Sequence, residues 1–215
     1  MAYWLTHLRI ADKLLDKLDI PSPTHFLVGN IAPDSGELVP GTTATYVPTS
    51  AVSHWRDFEN LPNAKLFGEK YFSTQHNPET ISFYLGYYAH LVADYYFHRD
   101  IIKPMREKFA DEYETDKNAF IWATRKNQTN LEYLYLTENP NMHAWHAFRE
   151  ITAFPNTYLD YFSETAIEKR VAFIIKYYEN YPAFSEREFK YINKKDVDNF
   201  VNVAVDIIAK NIKET

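Results

Sequence analysis

Residues 81–102, ISFYLGYYAHLVADYYFHRDII, constrain the fold of this 215-residue chain more than any other stretch. They read as one long helix, apolar nearly all round, with His90, Asp94 and His98 four residues apart. Four residues advance an α-helix by about 400°, so the three side chains drift through roughly 80° and point the same way. Leu85, Val92 and Tyr96 lie opposite, which leaves no polar face on which a carboxylate could be solvated. An ionised Asp in such surroundings is costly unless it is paired or holds a metal. Two imidazoles flanking one carboxylate form a ligand set for a divalent transition metal, zinc above all. The segment reads as the spine of a metal site.

Helical spacing recurs along the rest of the chain. Only five glycines occur, and period-two alternation is nowhere sustained. Helices are expected over 4–18, 50–58, 64–72, 78–102, 116–136, 142–154, 157–181 and 196–212. The fourth opens with Asn77 as cap and Pro78 in its first turn, and Pro140, Pro155 and Pro182 follow the ends of three others. His25 marks a further helix start. Residues 31–48, with three prolines and two glycines, form the main irregular region, and a loop of that length in a compact domain is usually functional or mobile. The expectation is an all-α fold, one multi-helix domain over residues 1–215.

Composition narrows the chemistry. There is no Cys, so any metal must be held by His, Asp and Glu. A net charge of -6 argues against a general grip on long nucleic acid or anionic membrane. The opening MAYWLTHLRIADKLL lacks the plan of a signal peptide. No charge-free apolar run reaches the roughly 18 residues of a membrane span, so a cytoplasmic protein is expected.

Three residues outside the central helix join His90 and Asp94 as candidates. His7 lies on the apolar stripe with Ala11 and Leu14 and faces inward. Asp34 sits in GNIAPDSG, where Pro33 and Gly36 shape a tight turn. His54 stands in AVSHWRD beside Trp55. Each alone has an ordinary structural explanation. Together the five supply N/O ligands suited to two zinc ions, with Asp94 as the natural bridge.

The strings MAYWLTHLRIADKLL, FLVGNIAPDSGE, SHW and FYLGYYAHLVAD resemble the zinc-dependent phospholipase C family, and most closely its shorter cytosolic bacterial members. The resemblance spans roughly residues 3–102 and is weaker beyond. Secreted members, and the related single-strand-specific zinc nucleases, are all-α phosphodiesterases with three zinc ions. The resemblance implies that His7 binds zinc, that Asp34 touches metal or water at the reacting centre, and that His54, His90 and Asp94 serve the paired ions. It places His98 near the first ligand of a third zinc, with His146 and Glu150 at the H-x3-E spacing of its remaining ligands. On their helix, however, those two lie opposite Trp145, Phe148 and Ile151, as on a solvated face, so two ions are expected before a third. In the secreted members a mature N-terminal Trp offers zinc its amino group and carbonyl. Here Trp4 is internal, and loss of Met1 would put an amine at Ala2.

The function implied is zinc-dependent hydrolysis of a phosphodiester, in a phospholipid or a small diester, with Asp34 orienting or deprotonating the attacking water. Tyr3, Trp4, Trp55 and Tyr87 are candidates for the mouth, and Arg56, Arg99, Arg125 and Lys126 for a phosphate clamp. The alternatives are a nucleotide or oligonucleotide phosphodiesterase on the same metals, or a non-enzymatic metal-binding helical module. No adjacent His-Asp pair occurs, which disfavours the histidine–aspartate phosphohydrolases.

Overall fold

The computed structural model describes residues 1–180 and 189–214. Helix α1 (Trp4–Lys17) turns Leu8, Ala11 and Leu14 inward. Helix α2 (Pro23–Gly29) begins on a proline and runs into a 3-10 turn, Ala32–Asp34. A short antiparallel hairpin follows, β1 (Glu37–Leu38) against β2 (Tyr46–Val47), with Glu37 opposite Val47. Then come α3 (Ser50–Ser53), α4 (Ala64–Tyr71) and the central α5 (Pro78–Phe97), which passes into a π-helical turn at His98–Ile102. The second half holds α6 (Lys103–Lys108), α7 (Ala110–Thr115), α8 (Lys117–Glu138), α9 (His143–Arg149), α10 (Ala166–Glu179) and α11 (Lys194–Lys213). The fold is all-α, as expected.

Several ends are set by local chemistry. Asn77 caps α5 by accepting the Thr80 N–H at 2.8 Å, and Asp116 caps α8 through Ala119. Asn193 and Asp196 close a capping box on α11. Other expected boundaries need correction. The helix expected over 50–58 stops at Ser53, because Trp55 adopts φ +51°. The helix expected over 157–181 starts only at Ala166. Asn156 accepts the Tyr158 and Leu159 N–H groups and donates to the Leu159 and Phe162 carbonyls, which holds that stretch in a non-helical turn. Its expected end, Tyr181 before Pro182, lies outside the described residues. The helix over 142–154 ends at Arg149, and α6 and α7 had no sequence expectation.

Helix α5 fills the centre, with Phe83, Tyr87, Ala89, Leu91 and Ala93 fully buried. Against it lies α2, at a separation only glycine permits. A Cβ on Gly29 would stand 2.0 Å from the Phe83 carbonyl oxygen, and one on Gly86 would stand 2.1 Å from that of Phe26. This contact carries Asn30, just past α2, up to the middle of α5.

The N-terminus of α1 is held from outside the helix. Its N-cap, Tyr3, makes no side-chain cap. Instead the Leu5 N–H donates to the Tyr178 hydroxyl at 3.3 Å and the Thr6 N–H to Glu132 at 2.9 Å, so two of the orphan donors of the first turn are satisfied. Tyr178 also donates to Glu132. Burial pushes the Glu132 carboxyl up to about 7, against the opposing pull of Tyr178, Thr6 and Arg9.

Two expectations follow. Gly86→Ala should destabilise the protein by several kcal/mol, because the added methyl meets backbone that cannot move aside alone; an unchanged thermal midpoint would contradict the packing of α2 on α5. Glu132 binds its proton more tightly in the folded chain than at its ordinary 4.5. Its contribution to stability is therefore complete below that value and is lost as pH rises through about 7, a change of roughly 3 kcal/mol. Glu132→Gln should lose less stability than the parent protein between about pH 5 and 8 in urea unfolding. Parallel pH profiles would refute the buried-acid assignment.

Candidate metal centre

Four segments deliver five side chains to one point in the interior. Helix α1 brings His7, the 3-10 turn Asp34, the C-terminus of α3 His54, and α5 both His90 and Asp94. His7, His90 and Asp94 are fully buried, and His54 nearly so. Asp34 is 11% exposed, which makes it the member nearest solvent. All five were expected from the sequence, and the structure brings them together.

Asp94 lies in the middle. Its Oδ1 is 3.4 Å from His7 Nε2, while its Oδ2 is 3.6 Å from His54 Nε2 and 3.7 Å from His90 Nε2. Asp34 Oδ1 stands 3.4 Å from His54 Nε2. The His54 and His90 Nε2 atoms are 3.4 Å apart, and the His7 and His90 rings stack at 3.8 Å. Two overlapping sets, His7–His90–Asp94 and Asp34–His54–His90, each keep their ligand atoms within 4.8 Å of one another.

Outer contacts decide which nitrogens are offered. His90 Nδ1 lies 2.8 Å from the Asn30 carbonyl oxygen. A carbonyl only accepts, so Nδ1 carries the proton and the Nε2 lone pair faces the cluster. His54 Nδ1 rests on Ser53 Oγ at 3.0 Å, which leaves its Nε2 facing inward too. His7 has no hydrogen bond at either ring nitrogen, and Asp94 Oδ2 has none either. An orphaned buried polar atom costs about 1–3 kcal/mol, so this concentration of them at one point fits a metal. The donor set of imidazole nitrogen and carboxylate oxygen fits zinc.

The electrostatics keep these groups ready to ligate. Burial pushes His90 down to about 3, so its ring is neutral at physiological pH. Burial works to raise Asp34, but the neighbouring His54 and His90 imidazoles outweigh it and hold the carboxyl at about 2. Asp94 is likewise held well below the usual carboxylate range, against burial, by the N-terminal amino group, His7 and His90.

Other candidates fall elsewhere. His98 is half-buried in the π-helical turn, and His146 and Glu150 are exposed, with His146 Nε2 on the Pro140 carbonyl at 2.8 Å. Among the described residues, none of the three belongs to a cluster able to hold a metal. Tyr3, Trp4 and Trp55 are half-buried, but Tyr87 is fully buried and donates to the Ser53 carbonyl, so it cannot line a mouth. Arg99 is taken up by Asp100, and Arg125 lies over Trp122. Arg56 contacts Ser50, the Asn60 carbonyl and Met1.

Three features near the centre escaped the sequence reading. The Asn30 carbonyl is a backbone group and leaves no mark in a side-chain motif. The Ala2 N–H donates to Asp94 Oδ1 at 2.8 Å, which lays the start of the chain against the cluster. Arg170 donates to the Gly36 carbonyl at 3.1 Å, two residues past Asp34, and packs on Trp4. It has no carboxylate partner among the described residues, and no spacing in the sequence relates residue 170 to residue 34.

A sequence model of the family described as zinc dependent phospholipase C matches residues 6–214. No curated protein and no solved structure matches the chain.

Asp94→Asn should lower both the zinc retained per chain and the melting temperature of the zinc-loaded protein, since the central carboxylate supplies the charge that offsets a cation inside an apolar bundle. Elemental analysis and thermal unfolding check this together. Parent-like values of both would remove Asp94 from the centre.

Proposed function

Because the chain belongs to the zinc dependent phospholipase C family, we propose that its five converging side chains hold zinc and that it hydrolyses a phosphodiester, in a phospholipid or a small diester. The coarser statement, a zinc hydrolase, has the support of both the family match and the His/Asp cluster. The observation that carries the finer one is the placement of Asp94. Its two oxygens face different histidines, Oδ1 toward His7 and Oδ2 toward His54 and His90, an arrangement suited to a carboxylate that bridges two ions. In this reading His7, Asp34, His54, His90 and Asp94 are ligands, and His98, His146 and Glu150 are not. The helical unit over residues 1–215 acts as one domain.

Zinc bound there supplies a Lewis acid for the phosphoryl oxygens and a nucleophilic water near neutral pH. The chain's own residues do the rest. The Asn30 carbonyl holds His90 in the tautomer that presents Nε2, and the Ser53 hydroxyl holds the His54 ring with its Nε2 turned to the cluster. Burial of four of the five groups excludes bulk water from the reacting side. Asp34, the one partly open to solvent, meets the incoming water. A carboxyl held at about 2 is a weak base at neutral pH, so Asp34 orients the water through its O–H more than it removes the proton. Arg170, on the Gly36 carbonyl two residues past Asp34, has no acid partner among the described residues and would receive the phosphoryl charge. Trp4 and Tyr3 offer apolar surface beside it for the substrate's acyl or aryl part. Among the described residues no helix is long and apolar enough to cross a membrane, so a lipid substrate would be met from outside the bilayer core.

Zinc-loaded protein should cleave an activated aryl phosphodiester, lose that activity to a chelator and regain it with zinc. Asp34→Ala should cut turnover by about 100-fold or more with a smaller loss of bound zinc. Substrate preference is read from a panel of phospholipids, dinucleotides and phosphomonoesters. If nothing in the panel turns over with zinc, a metal-binding module replaces the hydrolase.

A further inference from the structure

His54 is held by a ring of hydrogen bonds that begins on the residue after it and ends on the residue before it. The Trp55 indole N–H donates to the Tyr161 hydroxyl at 3.2 Å. Tyr161 in turn donates to the Tyr87 hydroxyl at 3.1 Å, and Tyr87 donates to the Ser53 carbonyl oxygen. Three side chains from three distant parts of the chain thus close a loop across the peptide groups on both sides of His54.

The loop answers a local need. Residue 54 ends a four-residue helix, too short to fix its own C-terminus, and Trp55 then takes φ +51°, a conformation that disfavours any residue with a Cβ. Such a turn persists only when its surroundings over-determine it. The Trp55 ring is held edge-on by Phe67 at 5.7 Å and Tyr71 at 5.9 Å, and its one polar atom is fixed by Tyr161. Burial pushes both the Tyr87 and Tyr161 phenols above their ordinary range, so the relay keeps its protons at any physiological pH. Each hydroxyl accepts one bond and donates the next, and such chains reinforce one another in a dry interior.

We propose that Tyr161 is a positioning residue for the metal centre, which acts through Trp55 and Tyr87 to fix the His54 imidazole toward Asp34 and Asp94. Tyr161 lies 107 positions from His54 in the sequence, in the non-helical turn that Asn156 ties down. This explains why that stretch is not a helix: an extended α10 would carry the hydroxyl elsewhere. The assignment rests on the metal reading for the use made of His54, but its geometry does not.

The test compares Tyr161→Phe, Trp55→Phe and the double variant with the parent protein. In metal-free samples the imidazole nitrogen resonances of His54 should shift in all three, while those of His143 and His146, both exposed on α9, stay in place. Zinc affinity, measured by competition with a chelating dye, should fall by about 10-fold. The double variant should do no more than Tyr161→Phe alone, because both substitutions cut one relay. Unshifted His54 resonances would overturn the proposal, and so would shifts spread equally over His143 and His146, which indicate general loosening. Should Tyr161→Phe fail to fold, Trp55→Phe breaks the relay from its other end and decides the same question. If the parent protein binds no zinc, the metal reading falls and the resonances still decide the relay.

Discussion

An ionised carboxylate at the centre of an apolar bundle is the condition to which the rest of this structure answers. Asp94 is fully buried on a helix with no polar face, where an unpaired charge would cost several kcal/mol. The fold meets that demand by sending histidines from three other directions or turns: His7 from α1, His54 from the end of α3, and His90 from one turn earlier on α5 itself. The Ala2 N–H supplies the one direct hydrogen bond. None of the imidazoles reaches hydrogen-bond geometry with Asp94, and its Oδ2 is left without a donor. The arrangement therefore suits a cation, which would complete it.

Each approach to Asp94 has its own structural support, and the supports do not share parts. The Gly29–Gly86 contact lets α2 come close enough for the Asn30 carbonyl to accept a hydrogen bond from His90 Nδ1. Glu132 and Tyr178 hold the first turn of α1, the turn before His7. A left-handed residue beside His54 adds about 1–3 kcal/mol of local strain, offset by the aromatic packing around Trp55. Long helices supply His7, His90 and Asp94, which suits a centre whose ligand positions must be kept within fractions of an ångström.

The central helix and its ligands were legible because their signal is local. His90 and Asp94 lie four residues apart on one helix, and an apolar helix that carries a carboxylate announces its problem within a dozen residues. Asn77 and Pro78 fixed the start of α5 by the same kind of short-range chemistry. What could not be read were contacts between segments distant in sequence. The pairing of Glu132 with Thr6, the seat of Arg170 beside Gly36, and the Tyr161–Tyr87 bond all depend on how helices pack, and no periodicity encodes them. Tyr87 was misplaced at a mouth because a tyrosine near a site usually presents its hydroxyl to ligand, whereas this one turns it to a backbone carbonyl. His98 was grouped with His90 and Asp94 by spacing and by the resemblance, but α5 passes into π geometry from that residue, and His98 belongs to neither candidate metal cluster among the described residues.

Asp34, like His54, sits on no long helix. The turn that carries it is clamped on both sides. Behind it, Ile31 and Ala32 are packed into the core and the 3-10 turn is closed by backbone bonds from Asp34 and Ser35 to Ile31 and Ala32. Ahead of it, the Gly36 carbonyl accepts from Arg170, and Glu37 is gripped by Lys169 and Ser163. The loop is thereby fastened to α10 within three residues of the carboxylate. Of the irregular stretch 31–48, this end is thus tied to the core and to α10, whereas Gly41 takes a positive φ in open space. A carboxylate that is partly open to solvent but immobile is suited to orienting a water molecule. A mobile one would lose that geometry with each fluctuation of the loop. The clamp through Arg170 thus fastens the segment that carries the group of the five nearest solvent.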